Sequence, residues 1–171
     1  KMGLRTYMQA LDMSLKLMSF MNLAQRFCFN AGTLPVNNPN EYYRSIDHRF
    51  KISYLPVILD ENTHQEHVTP MRIHKETGVI EVSQAKTVHD PIPARMAKIT
   101  HEYSHKNENI NPNDEEEADI NGALIYLAYG YPRVEIIEAY ATTFYAVPSA
   151  DNIERMKRLE RFVYSFDKQF A

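Results

Sequence analysis

Residues 101 to 119 have the sequence HEYSHKNENINPNDEEEAD, which carries the strongest chemical signal in the chain. Its first five residues place His101 and His105 four positions apart. On an α-helix this spacing brings both imidazoles to one face, one turn apart, where they can bind a single ion. Glu102 lies beside that face, where its carboxylate could accept a proton from a metal-bound water without itself binding the metal. The spacing therefore predicts a zinc ion, Zn2+, held by the two histidines, with Glu102 as the general base.

The residues around the motif predict that it lies on an amphipathic helix. Apolar side chains recur at helical spacing at Ile92, Met96, Ile99 and Tyr103. With about 100° of rotation per residue, this apolar stripe lies almost opposite the two histidines. The helix is therefore expected to bury one face in the core and to present the zinc ligands on the other.

A second helix is expected to follow the motif after a short break. The residues from Asn111 to Asp114 interrupt the helical pattern and supply capping groups, and the helix should run to about Tyr129. On this helix Glu115 and Asp119 lie one turn apart and share a face with Gly122. A glycine on that face would let the two helices approach closely.

The pairing of these two helices predicts a set of metal ligands. If they form an antiparallel hairpin, Glu115 lies opposite His105 and Asp119 lies opposite His101. Glu115 is then the natural third zinc ligand. Asp119 is expected to accept a hydrogen bond from the nitrogen of His101 that does not face the metal, which fixes the tautomer of that ring.

Other polar residues at suggestive spacing are expected to lie outside the metal site. Glu116 and Glu117 point about 100° and 200° away from Glu115, so they are expected to complement the dipole of the second helix. His64 and His67 are three positions apart, but they lie in a polar segment that is typical of a surface loop.

The remaining pattern predicts an α+β fold that is mostly helical, with a small antiparallel sheet of about three strands. A first amphipathic helix is expected over about residues 4 to 28. Its apolar positions are Leu4, Met8, Leu11, Leu15 and Met18. Two further helices are expected after the motif hairpin, over about residues 133 to 146 and 150 to 169.

Three segments predict the sheet. Residues 50 to 59 have the β-branched and aromatic character of a strand, and Pro56 within them predicts an edge strand or a bulge. Residues 71 to 74 and 79 to 82 flank a turn that contains Gly78, as the two arms of a hairpin do.

Length and charge limit the class of protein. The chain has 171 residues, 44% of them hydrophobic, which is enough for one core, so residues 1 to 171 are interpreted as a single domain. Its net charge of -3, with scattered lysines and arginines, offers no basic face, so nucleic acid is not an expected partner. Asp12, Lys16 and Arg26 interrupt the apolar first segment, so no membrane span is expected.

Further features bear on the cellular location of the protein, on its parent chain and on its partners. The single cysteine, Cys28, cannot form an internal disulfide, which favours a cytoplasmic or virion-associated location over a secreted one. Because the chain starts at Lys1 without an initiator methionine, we expect it to be a fragment of a longer parent chain. The first helix is rich in methionine, and such adaptable side chains could also serve a partner surface.

The motif and the helix that follows it resemble the gluzincins, zinc metallopeptidases whose two histidines and a downstream glutamate bind zinc. The segment from Glu115 to Asp119 is similar to the Glu-x-x-Ala-Asp helix of the HtpX-like peptidases and to the Glu-x-Glu-Ala-(Asp or Asn) helix of the ImmA/IrrE-like family. The resemblance covers roughly residues 72 to 130 and extends to small peptidase-like proteins of bacteria and their phages. It implies a zincin-like domain that hydrolyses peptide bonds.

In these families the strand before the motif helix, here residues 79 to 82, borders the substrate cleft and can pair with an extended peptide. This chain departs from them in one respect. Only nine residues separate His105 from Glu115, which is a shorter link than is usual in these families. The shape of their substrate cleft is therefore not expected in this chain.

The leading interpretation is a zinc metalloendopeptidase with a peptide or protein substrate, in which Glu102 passes the proton of the attacking water to the leaving amine. Such enzymes also need a donor that stabilises the oxyanion. The candidates are Tyr126, Tyr140, Tyr145, Arg133 and His89. One alternative is a catalytically silent zinc-binding structural or interaction module of a larger bacterial or phage assembly, and another is a sensor or regulator. The intact Glu102 argues against a silent site, because a purely structural zinc site does not need that carboxylate.

Overall fold

The computed structural model describes the backbone of residues 4 to 170 and the side chains of residues 12 to 166. Within that range the predicted α+β class is confirmed. The helices are α1 (Leu4–Asn30), α2 (Gln84–Thr87), α3 (Ile92–Asn107), α4 (Glu115–Ala128), α5 (Arg133–Ala146) and α6 (Ala150–Phe170). The strands are β1 (Tyr43–Arg44), β2 (Lys51–Leu55), β3 (Met71–Ile73) and β4 (Ile80–Ser83).

The sheet differs from the expected one in size and direction. It has four strands in the order β1-β2-β4-β3, and β2 runs parallel to β4, with Ile52 opposite Ile80 and Tyr54 opposite Val82. The other two pairs are antiparallel, and β3 and β4 form the predicted hairpin. The prediction of a purely antiparallel sheet was wrong because β4 lies between its hairpin partner and β2. Strand β1 was missed because two residues are too short for a periodic pattern.

Of the two alternatives that Pro56 predicted, an edge strand or a bulge, the edge position was wrong. Strand β2 is interior, since it pairs with β1 on one side and with β4 on the other. It ends at Leu55, so the residue that lacks a backbone N–H lies just beyond the paired region. The carbonyl oxygen of Pro56 then accepts the N–H of Ala85 in α2 at 3.1 Å.

The core lies between α1, the sheet and α3. The rings of Phe20 in α1 and Tyr103 in α3 are stacked with their centroids 4.3 Å apart, and the ring of Phe27 meets the edge of Tyr54 at 5.0 Å. The hydroxyl of Tyr54 donates to the carbonyl oxygen of Ala31 at 2.9 Å, so its burial leaves no polar atom unpaired. These contacts pack α1 against both α3 and the sheet, with Tyr103 of α3 buried between them.

The part of α1 that packs into this core is its second half. Phe20, Leu23 and Phe27 are almost fully buried, whereas Leu15 and Met18 are about half exposed. The expected apolar stripe therefore does not mark the buried face at those two positions. The side chains of Leu4, Met8 and Leu11, which belong to the same stripe, lie outside the described residues.

The connections around α3 and α4 place these helices. Pro91 precedes the first turn of α3, and the side chain of Asp114 accepts the N–H of Glu117 at 3.0 Å to cap α4. Between residues 4 and 170, no helix combines the length and the apolar character that crossing a membrane requires.

Candidate metal centre

The pairing of α3 with α4 brings the motif and the acidic helix together. Gly122 of α4 lies directly on the backbone of α3, and a Cβ at this position would stand 2.8 Å from both Cα and N of His101. Only glycine permits such an approach, because any side chain would overlap the neighbouring backbone. As a result, His101 and His105 face the first two turns of α4.

Three side chains from these two helices converge on one point. Nε2 of His101 lies 3.0 Å from Oε2 of Glu115, and Nε2 of His105 lies 3.3 Å from the same oxygen. The two Nε2 atoms are 3.1 Å apart. Ligand atoms held about 2.0 to 2.1 Å from a tetrahedral zinc ion stand roughly 3.3 Å from one another. The three donor atoms therefore have a chemistry and a spacing that fit zinc.

The outer nitrogens of both imidazoles face hydrogen-bond acceptors. Nδ1 of His105 donates to the carbonyl oxygen of Pro112 at 2.8 Å, and Nδ1 of His101 lies 3.1 Å from Oδ1 of Asp119. An acceptor at Nδ1 keeps the proton there and leaves the lone pair on Nε2, which is the form that binds a metal. Two lone pairs 3.1 Å apart repel each other unless a cation or a proton lies between them. The arrangement therefore suits a cation, or a proton shared between the two rings, at its centre.

The same side chains carry strongly shifted pKa values. Burial disfavours the charged form of His101, but hydrogen bonds to Asp119 and Glu115 and the charge of Glu102 outweigh it and raise the pKa of His101 to about 10. Burial also acts to raise the pKa of Glu115, but its contacts with the two histidines hold that pKa well below the usual range. A metal ion would compete with the proton on His101, because zinc binds only the neutral imidazole.

Glu102 lies beside the three converging side chains and not among them. Its Oε1 is 4.0 Å from Nε2 of His101, and its side chain is 13% exposed. Burial raises the pKa of Glu102, and the neighbouring charges of His101 and His105 partly oppose this shift. A carboxyl group with a raised pKa holds a proton more readily than an exposed one, which is a useful property for a general base that must also release the proton.

Arg155 of α6 also belongs to the site, and sequence analysis missed it. Its Nε and Nη2 donate to the two carboxylate oxygens of Asp119 at 2.8 and 2.9 Å, and Nη2 lies 3.4 Å from Oε2 of Glu115. Burial disfavours its charge, but Asp119 and Glu115 hold the pKa of Arg155 above its ordinary value. Helical periodicity gives no signal for this residue, because only the packing of α6 against α4 brings it to the site.

Among the oxyanion candidates, Tyr140 of α5 contacts one of the three converging side chains. Its hydroxyl lies 3.2 Å from Nδ1 of His101, which is the nitrogen that does not face Glu115. It is therefore placed to hold the imidazole and not to contact an oxyanion formed on the Nε2 side. The hydroxyl of Tyr126 donates to the carbonyl oxygen of Pro132 at 2.6 Å, and Tyr145 is 76% exposed. Arg133 begins α5, and His89 lies between α2 and α3.

The two glutamates expected to lie outside the site have partners of their own. Glu116 forms an ion pair with Arg158 of α6. The carboxylate of Glu117 accepts the backbone N–H groups of Ile110 and Asn111, each at 3.0 Å, and so holds the loop between α3 and α4.

Among the side chains that the structure describes, only His101, His105 and Glu115 form a group of three or more potential ligands within reach of one ion. His64 lies in the segment between β2 and β3, as expected for a loop histidine. No protein-family model, no curated protein and no solved structure matches this chain. The resemblance to the gluzincins therefore stays a prediction, and the function has to be inferred from the chemistry of the site.

Proposed function

We propose that this protein is a zinc-dependent metallopeptidase whose metal is held by His101, His105 and Glu115. The observation that carries the proposal is the 3.1 Å approach of the two Nε2 atoms, with a carboxylate oxygen at 3.0 and 3.3 Å from them. Both imidazoles have their outer nitrogens engaged, so their inner nitrogens are free to act as metal ligands. Three protein ligands leave one position of a tetrahedral zinc for water or substrate, as in catalytic zinc sites.

The role proposed for Glu102 follows from its position beside the ligands. Zinc bound here would acidify a water molecule and polarise a peptide carbonyl. Glu102 accepts the proton of the attacking water and then delivers it to the nitrogen of the leaving amine. Its burial supports this role, because the raised pKa of its carboxyl brings the group closer to the pH at which it must both accept and release a proton.

The sheet offers a place for the peptide backbone, although not on the strand first expected. Strand β4 is paired with β2 and with β3, so both of its edges are occupied. Strand β3 lies at the end of the sheet, and the turn after it is tied to α3 because Nζ of Lys106 donates to the carbonyl oxygen of Lys75 at 2.6 Å. An extended peptide would therefore add to the sheet at β3, through backbone hydrogen bonds.

One observation favours a second candidate function, in which the protein binds zinc and cleaves nothing. Two of the open depressions on the described part of the surface lie beside the turn after β3 and between the α3–α4 loop and α6. Neither is lined by His101, His105 or Glu115. Substrates are commonly bound in concave sites, and these two depressions are not lined by the proposed ligands, so a zinc-binding module of a larger assembly is the second candidate.

Zinc content and proteolysis, measured together, test the proposal. The wild-type protein and Glu102→Gln would be purified, assayed for bound zinc, and incubated with a fluorescently labelled unfolded protein. We expect both proteins to retain zinc and the variant to lose cleavage by about 100-fold or more, since general base catalysis contributes that much. Zinc in both proteins with no cleavage by either would support the binding module, and a wild type without zinc would overturn both functions.

A matched control excludes a general effect of removing a glutamate. Glu138 is an exposed glutamate on α5, and Glu138→Gln removes the same charge away from the converging side chains. This variant is expected to cleave at the wild-type rate. Loss of cleavage in both variants would mean that removal of a glutamate disturbs folding, whereas cleavage retained by Glu102→Gln would point to a contaminating protease or to a different general base.

A further inference from the structure

We propose that Arg155 is a positioning residue for the metal centre, which orients Asp119 and Glu115 and thereby sets the affinity for zinc. This inference rests on the zinc site of the proposed function but not on peptide cleavage. Arg155 comes from α6, whereas the three proposed ligands come from α3 and α4. On this proposal the metal site is built from three helices, α3, α4 and α6, and is incomplete without α6.

The first support is the geometry of the contact with Asp119. Two N–H groups of the guanidinium meet the two oxygens of one carboxylate at 2.8 and 2.9 Å, which is the paired arrangement that fixes both partners in one plane. The side chain of Asp119 is only 2% exposed, so it has little freedom to turn. Its Oδ1, one of these two oxygens, also faces Nδ1 of His101 at 3.1 Å. By fixing the plane of Asp119, Arg155 therefore helps to orient the imidazole of His101, together with the hydroxyl of Tyr140.

The second support is the contact with the third proposed ligand. Nη2 of Arg155 lies 3.4 Å from Oε2 of Glu115, the same oxygen that faces both Nε2 atoms. The side chain of Glu115 is 52% exposed, and an exposed carboxylate on a flexible stem would otherwise sample several rotamers. The guanidinium of Arg155 thus restrains both the exposed carboxylate of Glu115 and the buried carboxylate of Asp119.

The third support is the balance of charge. The carboxylates of Glu102, Glu115 and Asp119 lie at this site, and with zinc bound the two imidazoles are neutral and do not offset them. A zinc dication and the guanidinium of Arg155 together carry three positive charges, which balance the negative charges of the three carboxylates. A buried charge is tolerated when it is paired with an opposite charge and hydrogen-bonded. The guanidinium of Arg155 provides both the opposite charge and the hydrogen bonds for Asp119.

The neighbouring ring restrains the guanidinium itself. The guanidinium carbon of Arg155 lies over the ring of Phe144 in α5, 4.7 Å from its centroid. A planar guanidinium stacks on an aromatic face in a way that an ammonium group does not reproduce. Lysine at this position would keep the charge and lose both the stacking and the paired hydrogen bonds.

The test compares zinc affinity in Arg155→Lys and Arg155→Ala with that in Arg158→Ala. Arg158 is on the same helix and pairs with Glu116, the residue next to the proposed ligand, so it is a matched control for loss of an α4–α6 ion pair. Zinc dissociation constants would be measured by competition with a chromophoric chelator, at a temperature where circular dichroism shows each protein to be folded. We expect both Arg155 variants to bind zinc about 10 to 100 times more weakly, which is typical for loss of a group that orients a ligand. Arg158→Ala should stay within about twofold of the wild type.

Cobalt substitution separates positioning from stabilisation of the fold. With saturating cobalt, Arg155→Lys should show altered d–d band intensities, while Arg158→Ala should match the wild type. Weaker binding with an unchanged cobalt spectrum would assign Arg155 to stability alone and overturn the proposal, as would a lysine variant that binds zinc as tightly as the wild type. If a variant folds only with metal, the zinc concentration that drives its folding gives the affinity instead. A wild type that binds no zinc would overturn the site itself.

Discussion

Gly122 of α4 lies so close to His101 of α3 that a Cβ on the glycine would stand 2.8 Å from two backbone atoms of the histidine. The offset of the two helices, and with it the convergence of the proposed ligands, depends on this contact. We expect Gly122→Ala to push the helices apart, to reduce the free energy of unfolding by about 1 to 3 kcal/mol, and to weaken zinc binding, because overpacking shifts the backbone. Urea denaturation and a zinc titration would measure both effects.

Gly32→Ala is the control for this prediction. A Cβ at Gly32 would meet Arg95 at 3.9 Å, which is ordinary van der Waals contact. This variant should leave zinc affinity unchanged. Equal zinc affinity for Gly122→Ala and the wild type would contradict the proposed role of the helix contact.

The helices around the site could be predicted from the sequence because their ends carry local signals. Pro132 and Gly130 separate α4 from α5, and the observed α5 coincides with the predicted residues 133 to 146. Spacing within one helix also placed His101 and His105 on one face. Arg155 could not be predicted in this way, because no periodicity relates α6 to α4. The parallel pairing of β2 with β4 was likewise missed, since it depends on strand order and not on any local pattern.

Arg95 gives a prediction about stability. This buried guanidinium donates to the carbonyl oxygens of Cys28 and Thr87 at 3.0 Å and of Val88 at 2.6 Å, and so joins α1 and α2 to α3. Arg95→Met should reduce the free energy of unfolding by roughly 1 to 3 kcal/mol, because it removes a donor from each of these carbonyl groups, although that of Thr87 still accepts the N–H of Asp90 at 3.1 Å. Chemical denaturation would measure the loss.

The control for Arg95 is an arginine in an exposed ion pair. Arg49 lies 3.4 Å from Asp12, and both side chains are largely exposed. Arg49→Met should change the free energy of unfolding by less than about 1 kcal/mol. A similar loss of unfolding free energy in both variants would show that the three hydrogen bonds from Arg95 to carbonyl groups stabilise the fold no more than an exposed ion pair does.

Asp47 gives a prediction about pH. Hydrogen bonds from Ser19, from Ser45 and from the backbone N–H of Arg49 lower the pKa of Asp47 from 3.8 to about 2. A carboxyl group whose pKa is lowered by folding contributes stability above its unfolded pKa and loses it as the pH falls through the folded pKa. The difference in unfolding free energy between the wild type and Asp47→Asn should therefore shrink between about pH 4 and pH 2. Urea denaturation at a series of pH values would measure it, and a difference that stays constant over this range would contradict the hydrogen-bonded role of Asp47.

Removal of zinc should lower thermal stability if His101, His105 and Glu115 bind it as proposed. A ligand that binds only the folded protein adds about 2.7 kcal/mol at a free concentration 100 times its dissociation constant. For a chain of this length that corresponds to a rise in Tm of roughly 5 to 10 °C over the same protein in chelator. Calorimetry should show this shift in the wild type and in His64→Ala, whose histidine lies in an exposed loop. His105→Ala should show little or none of it, because two remaining ligands hold zinc far more weakly than three. An equal shift in His105→Ala would place the bound zinc elsewhere on the protein.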